Sequence, residues 1–206
     1  MFLGKSILSK LKNSLIIFIL LACEAPKQPL PIFGQKVLND KGEEDNHTIP
    51  RFNFTNQNNK MISQNRFNGR VYVADFFFTT CQTICPQMTL QLARVQQELK
   101  GKDFSILSHT VDPKHDTTNV LLEYSKKMGA ELSNWDFVTG DAQKIYRQAA
   151  AYLVVAFEDT ASTLPFVHSE YLVLVDKKSR VRGLYDGTDS LEVNKLIDDI
   201  QWLIKN

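Results

Sequence analysis

The chain has 206 residues, with 24 lysines and arginines against 23 aspartates and glutamates, and only three cysteines. This near balance of charge forms no basic stripe, so the sequence gives no indication of nucleic acid binding. Once the N-terminal region described next is set aside, the remaining length is enough for one well-packed domain and hardly for two.

The N-terminus has the pattern of a secretory signal. Three lysines precede an apolar run, residues 15–21, that is too short to span a bilayer. The run is followed by Ala22 and Cys23, which resembles the bacterial lipoprotein signal. We therefore predict a lipoprotein signal peptide over residues 1–22, lipidation of Cys23, and a domain anchored to a membrane in the bacterial cell envelope, outside the cytoplasm. The alternative is an uncleaved N-terminal helix with an incidental buried cysteine.

Two further segments follow the predicted signal. Residues 23–47 are polar and rich in proline and charge, with little to bury, and we interpret them as a flexible tether. Residues 48–206 form the predicted domain. An exported domain works where disulfides persist.

The predicted domain begins with a hairpin and continues as alternating strands and helices. Residues 49–54 alternate apolar and polar side chains, residues 56–59 form a turn, and Met61 and Ile62 follow. The further predicted strands cover residues 71–78, 104–111, 135–138, 171–176 and 181–185. The predicted helices begin near Pro86, after an N-cap at Asp116 or Thr117, after Asp141 and at Ser190. This order predicts an α/β sandwich.

The other two cysteines, Cys81 and Cys85, lie where the strand 71–78 passes into the helix containing Pro86. The positive end of a helix favours thiolates there. The four-residue spacing suits a disulfide between Cys81 and Cys85, and it also lets two thiolates hold one soft metal ion. Because a two-cysteine site stands at the first strand-to-helix junction, we predict a thioredoxin-like sandwich with an added N-terminal hairpin.

A metal site would need at least one more ligand, and four histidines are available. Thiolates select Cu(I), and an added imidazole allows Cu(II) to be held as well. His47 lies in the predicted tether, His109 inside a strand and His115 in a polar loop, so a structural or solvated role is expected for each. His168 follows a long loop and precedes an apolar strand, and spacing alone leaves open whether it is a ligand.

Four segments together resemble the Sco/SenC family. They are Asp-Phe-Phe-Phe-Thr-Thr-Cys-Gln-Thr-Ile-Cys-Pro-Gln-Met-Thr at 75–89, Val-Asp-Pro-Lys-His-Asp-Thr at 111–117, Trp-Asp-Phe-Val-Thr-Gly at 135–140, and His168-Ser169 followed by the strand 172–176. The resemblance covers the chain from about residue 48 to the C-terminus. It implies a membrane-anchored, thioredoxin-like copper protein that helps to assemble the dinuclear copper centre of cytochrome c oxidase.

The resemblance assigns roles to individual residues. The family's copper ligands map onto Cys81, Cys85 and His168, and the implied partners are the copper-receiving subunit of the oxidase and other copper chaperones. Gln82-Thr83 and His115 depart from the usual family pattern without removing a ligand. The predicted lipid anchor replaces the transmembrane helix of many relatives.

Other functions stay open beside this one. A thiol–disulfide reductase acting on partner cysteines would use Cys81 and Cys85 as catalytic residues without a metal, so His168 separates the two functions. A peroxiredoxin-like peroxidase is disfavoured because neither cysteine has a threonine three residues before it. For Asp112 we expect a turn and for Asp116 a helix cap; Met88 and residues 76–78 are expected in the core.

Overall fold

The computed structural model describes residues 29–38, 41–159 and 166–206. The predicted signal peptide 1–22 and the predicted lipidation site Cys23 lie outside the described residues. Within these ranges, no helix combines the length and the apolar character needed to cross a membrane.

A seven-stranded mixed sheet forms the centre of the domain. Its strands lie in the order β11-β10-β5-β6-β7-β3-β4; β5, β6 and β7 are parallel and the other pairs antiparallel. The strands are β3 (Asn53–Asn56), β4 (Met61–Ser63), β5 (Val71–Phe77), β6 (Phe104–Thr110), β7 (Trp135–Thr139), β10 (Tyr171–Val175) and β11 (Val181–Asp186). Two small hairpins stand apart from this sheet, β1–β2 (Val37–Leu38, Glu44–Asp45) and β8–β9 (Ala156–Glu158, Phe166–His168).

In the described part of the chain, four α-helices cover the two faces of the sheet. They are α1 (Ile84–Glu98), α2 (Thr118–Lys127), α3 (Ala142–Ala151) and α4 (Ser190–Lys205). Tyr124 of α2 stacks on Phe77 and its hydroxyl lies 3.0 Å from that of Thr89 in α1, so α1 and α2 share one face. Phe76 points to the other face, where His109 stacks on it at 4.6 Å. Strand β5 is buried along its whole length because both faces are covered.

These elements confirm the predicted α/β sandwich with its N-terminal hairpin, β3–β4. The predicted cap of α3 is confirmed, because the Asp141 carboxylate accepts a 2.9 Å hydrogen bond from the Lys144 N–H. Thr117 is the N-cap of α2. The expectation that Asp116 caps this helix is wrong: its carboxylate points into the fold, as described below.

The described part of the predicted tether packs on the domain. The Phe33 N–H donates to the Val181 carbonyl (2.9 Å), and buried Arg182 donates to the carbonyls of Leu30 and Pro31, at 2.8 Å for Pro31. The His47 Nε2 lies 2.7 Å from the Ala151 carbonyl oxygen. The sequence pattern missed these contacts because they are made mainly by backbone carbonyls, which any residue supplies. The boundaries at residues 22 and 47 stay predictions.

Candidate metal centre

The connection between β5 and α1 holds both cysteines. Strand β5 ends at Phe77 and α1 begins at Ile84, so Cys81 lies in the connecting loop and Cys85 in the first helical turn. The Cys81 N–H donates to the Phe78 carbonyl (3.3 Å), which tightens the loop before the helix. Pro86 also lies in this first turn, where its missing N–H leaves no hydrogen bond unmade. Both thiols are reduced; Cys85 is buried and Cys81 is half-buried.

The third residue, His168, reaches the same place from the hairpin β8–β9. His168 pairs with Ala156, and the Ser169 N–H donates to the Val155 carbonyl (3.0 Å), which fixes the end of the hairpin. The imidazole also meets the Phe78 ring edge to face, with centroids 5.6 Å apart. The hairpin thus places a histidine over the start of α1.

Hydrogen bonds fix the tautomer of His168. Its Nδ1 lies 3.1 Å from the Ser169 carbonyl oxygen, which can only accept, so Nδ1 carries the proton. In the neutral ring the Nε2 lone pair is then available, and it lies 3.1 Å from the Cys85 Sγ. A metal-binding histidine is commonly oriented by such a bond from its second nitrogen. The ring is therefore held in the form that a metal ligand needs.

The three predicted ligands converge. One ligand atom from each of Cys81, Cys85 and His168 lies within 4.8 Å of the other two. Among the described residues, no other three histidine, cysteine, aspartate or glutamate side chains bring their ligand atoms this close together. Two sulfurs and one imidazole nitrogen are a donor set that suits copper in both common oxidation states. The residues present therefore fit a copper ion.

The environment makes the two thiols unequal. Burial raises the pKa of Cys81, but hydrogen bonds from the Cys85 side chain and from the N–H groups of Cys85 and Thr83 outweigh it, so the net shift is downward. Burial, and the hydrogen bond with Cys81, raise the pKa of Cys85 well above its usual range. Burial lowers the pKa of His168, which keeps the imidazole neutral. Cys81 is thus the readily ionised thiol of the pair.

Asp116 supports the loop that leads to Cys81. Its buried carboxylate accepts hydrogen bonds from the N–H of Thr79 (3.0 Å) and from the hydroxyls of Thr79 and Thr110. These bonds tie the residues just before Cys81 to the end of β6. Sequence analysis missed this role because Asp directly before a predicted helix is typical of an N-cap.

Asp75 is a second residue that sequence analysis missed. Its carboxyl is buried in β5, where one oxygen accepts from the Ser108 hydroxyl (2.5 Å) and the other has no partner among the described residues. Burial raises the pKa of Asp75 to about 7, against the opposing effect of the Ser108 hydrogen bond. When ionised, this carboxylate further raises the pKa of Cys85. A charged residue inside an otherwise apolar strand was the available signal.

The other three histidines are not part of the group formed by Cys81, Cys85 and His168. His109 is buried and its Nδ1 lies 3.2 Å from the Asp75 carbonyl, and His115 is about half exposed beside Asp116. His47 packs against the end of α3 as described above. Met88 is fully buried in the core, as expected.

Comparison with known proteins identifies the family. A family model described as SCO1/SenC matches residues 40–205. The chain is also similar to the SCO1 protein homolog of Bacillus subtilis (strain 168), with 31% identity over 159 residues that cover 76% of this chain and 82% of that protein. The chain belongs to the SCO1/SenC family. The resemblance read from the sequence is thereby confirmed.

Solved structures agree with this assignment. A structure of BsSco, described as a member of the Sco family of cytochrome c oxidase assembly proteins in which a disulfide switch was identified, has a TM-score of 0.69 and 29% identity, covering 77% of this chain and 94% of that one. ScoI of Bradyrhizobium japonicum with copper bound has a TM-score of 0.64, and the match covers 76% of this chain and 99% of that one. At 19% sequence identity this similarity shows a shared fold and nothing further. The predicted thioredoxin-like fold of this SCO1/SenC domain is confirmed.

Proposed function

We propose that this chain is a copper metallochaperone that binds one copper ion through Cys81, Cys85 and His168 and helps to assemble the dinuclear copper centre of cytochrome c oxidase. The observation that carries the proposal is the convergence of two sulfurs and one imidazole nitrogen within 4.8 Å. Membership of the SCO1/SenC family supports it, because the similar protein BsSco is described as belonging to a family of oxidase assembly proteins.

The charges of this ligand set suit copper in two states. Two thiolates and a neutral imidazole give a net charge of −1 with Cu(I) and zero with Cu(II). Because Cys85 holds its proton tightly, copper must displace that proton, and binding strengthens as pH rises. The low pKa of His168 means that no proton competes at Nε2 near neutral pH.

The position of the site suits the transfer of its cargo. Cys81 is half-buried, whereas Cys85 lies beneath it with His168 alongside. A partner thiolate can therefore reach the metal from the Cys81 side and replace the ligands one at a time. Three ligands also leave a coordination position open for the incoming group. The proposed partners are the copper-receiving subunit of the oxidase and the chaperones that supply the copper.

The experiment compares His168→Ala with His115→Ala, which removes a half-exposed histidine from the same end of the sheet. We expect one copper per protein and intense thiolate-to-copper visible absorption in the unchanged protein and in His115→Ala. In His168→Ala we expect Cu(II) binding and oxidase assembly to be lost, while Cys81 and Cys85 still convert between the dithiol and the disulfide. If His168→Ala keeps full copper binding and full oxidase activity, and only cysteine variants fail, the proposal is wrong.

A thiol–disulfide reductase is the second candidate function, and the unequal thiols favour it. A half-buried thiol of low pKa beside a buried thiol of high pKa is the arrangement in which one sulfur attacks a partner disulfide and the other resolves the mixed disulfide. In this function Cys81 attacks, Cys85 resolves, and a Cys81–Cys85 disulfide is the product. The disulfide switch described for BsSco supports such a pairing.

We also propose that the mature chain is a lipoprotein anchored through Cys23 in the bacterial cell envelope. The support is the short apolar run that ends in Leu-Leu-Ala-Cys. Replacing Cys23 by Ser should release the protein or leave an unprocessed precursor. A Cys23→Ser protein of unchanged mass and unchanged membrane retention would disprove the lipid anchor.

A further inference from the structure

The two ends of the sheet carry opposite charge. The cysteine pole, where β5, β6 and β7 end, bears six acids around its loops against two exposed lysines, Lys144 and Lys114, the latter 3.6 Å from Glu158; the acids are Asp112, Asp141, Glu158, Glu170, Asp186 and Asp189. The opposite end, where these strands begin, bears Arg70, Lys102, Lys177, Lys178 and Arg180, which we call the basic pole. Residue Val175, where β10 ends, pairs with Tyr72 near the start of β5, so the turn with Lys177 and Lys178 belongs to this end.

Most acids near the basic pole have a basic partner. Glu131, before β7, lies 3.5 Å from Lys100, and Glu44 of the β1–β2 hairpin lies 2.9 Å from Lys36. Asp103 lies 3.2 Å from Arg70, and buried Asp176 accepts from Arg180 and Arg182 at 2.7 and 2.8 Å. This leaves exposed Lys102, Lys177 and Lys178 without an acidic partner in the part of the chain that the structure describes. The basic pole therefore presents a surplus of positive charge to the solvent.

The N-terminal segment is fixed to this same pole. Arg182 holds the carbonyls of Leu30 and Pro31, and Phe33 bonds to Val181 at the start of β11. Leu30 comes seven positions after Cys23, and a fully extended chain over seven positions spans about 25 Å at most. A lipid on Cys23 therefore keeps the basic pole close to the bilayer surface.

Exposed apolar side chains accompany the positive charge. Ile32 and Phe33, in the N-terminal segment bonded to Arg182 and Val181, are each more than one-third exposed. Trp202 near the end of α4 is partly buried. Lys177 lies next to this helix end, because its Nζ donates to the Ile204 carbonyl at 2.9 Å. Exposed cationic, apolar and aromatic side chains at one end of a domain are typical of a surface that rests on lipid headgroups.

We propose that the basic pole docks on an anionic lipid surface, so that the centre formed by Cys81, Cys85 and His168 points away from the membrane. This inference rests on the proposed lipidation of Cys23. The acidic cysteine pole is repelled by the same surface, which reinforces the orientation. Strand β5 alone separates the two poles by about 20 Å. The receiving copper site of the partner must accordingly stand well above the bilayer.

Tryptophan fluorescence can test this orientation in the lipidated protein. The chain has two tryptophans, and Trp135 is fully buried, so Trp202 is the one that lipids can reach. The protein is reconstituted in phosphatidylcholine vesicles with a nitroxide on the headgroup, with or without phosphatidylglycerol, and Trp202→Phe gives the background. We expect stronger quenching in the anionic vesicles, and loss of that difference at high salt because salt screens surface charge.

Charge variants provide the matched comparison. Lys177→Gln/Lys178→Gln should lower the equilibrium constant for surface contact by about thirtyfold. Lys114→Gln/Lys144→Gln removes the same charge from exposed positions at the cysteine pole and should leave the quenching unchanged. Equal quenching in neutral and anionic vesicles, or an equal loss in both double variants, would overturn the proposal. The mass of the processed chain tests lipidation separately, and copper stoichiometry tests the metal centre separately.

Discussion

The Sγ of Cys85 lies 3.1 Å from the Nε2 of His168, although 83 positions separate the two residues in the chain. Two different local structures produce this contact: the first turn of α1 supplies the sulfur, and the β8–β9 hairpin supplies the imidazole. Because Nδ1 is committed to the Ser169 carbonyl, the contact uses the nitrogen that can also bind a metal. Copper binding by Cys85 and His168 would require the Cys85 thiol to lose its proton.

The unequal thiols predict unequal reactivity. In the reduced, metal-free protein we expect iodoacetamide to alkylate Cys81 faster than Cys85 at neutral pH, because the pKa of Cys81 is lowered and that of Cys85 is raised. The labelling rate of Cys81 should level off at a lower pH than that of an ordinary thiol. Mass spectrometry of peptides after timed labelling measures both rates, with Cys81→Ser and Cys85→Ser as single-thiol controls. Equal rates at the two sulfurs would contradict the prediction.

The same pair should form a reversible disulfide when no metal is bound. Mild oxidation should remove both thiols from alkylation and lower the mass by two hydrogens, and a reductant should restore them, because the two sulfurs already lie within 4.8 Å. Prior loading with Cu(I) should protect the thiols from this oxidation. Two alkylatable thiols after oxidation of the metal-free protein would rule the disulfide out.

Asp75→Asn should change how stability depends on pH. The folded-state pKa of Asp75 is about 7, against an ordinary value of 3.8, so the folded state retains a proton that the unfolded state loses over this range. The share of the free energy of unfolding that comes from protonated Asp75 is therefore fully present below pH 4, and it is lost as the pH rises towards 7. At pH 7 the neutral Asn should raise the free energy of unfolding by on the order of 2–4 kcal/mol. Urea unfolding at pH 4 and pH 7 measures the effect.

A second result should accompany the loss of the Asp75 charge. The Cys85 pKa should fall, because an ionised Asp75 raises it, and the reactivity of Cys85 towards alkylation should increase. Asp141→Asn is the matched control, since Asn also caps a helix and Asp141 is exposed. If Asp75→Asn is less stable than the unchanged protein at pH 7 and at pH 4 alike, its role is a hydrogen-bonding one and the electrostatic explanation fails.

Asp116→Ala should destabilise the domain and loosen the loop before Cys81. It leaves the N–H and hydroxyl of Thr79 and the hydroxyl of Thr110 without their acceptor, which should cost about 3 kcal/mol. We also expect weaker copper binding, because the position of Cys81 depends on this loop. Thr79→Ser keeps the hydroxyl and should be nearly neutral, whereas Thr79→Val removes one of these bonds. Unchanged unfolding and copper titrations for Asp116→Ala would show that these bonds are dispensable.

Sequence analysis predicted the elements that have strong local signals. The apolar run 71–78, the helical spacing after Pro86 and the Asp141 cap each depend on neighbouring residues, and each appears in the structure within a residue or two. Cys-x-x-x-Cys is a local pattern that singles out Cys81 and Cys85, whereas position alone left His168 open and the family resemblance assigned it. The contact between His168 and Cys85 needed tertiary structure or a family resemblance, because nothing in the loop before His168 specifies where it folds.

The sequence left other features hidden for a similar reason. Asp116 has the local setting of a helix cap, and only the packing of the loop 78–83 against β6 turns its carboxylate inward. The short strands of β8–β9 and the docking of residues 30–33, where Arg182 donates to two backbone carbonyls, depend on a few hydrogen bonds to backbone groups, which have no periodic pattern. Residues that act through the backbone or through distant partners are therefore the ones that sequence patterns miss.

Within the residues that the structure describes, the β8–β9 hairpin shares no strand pairing with the seven-stranded sheet. The two sulfurs thus follow a strand of the central sheet, whereas the imidazole belongs to a unit held to the sheet by side-chain packing, such as the contacts of Phe78 with Phe166 and His168. Because the ligands come from two units, a copper ion held by Cys81, Cys85 and His168 would join the hairpin to the sheet and oppose their separation.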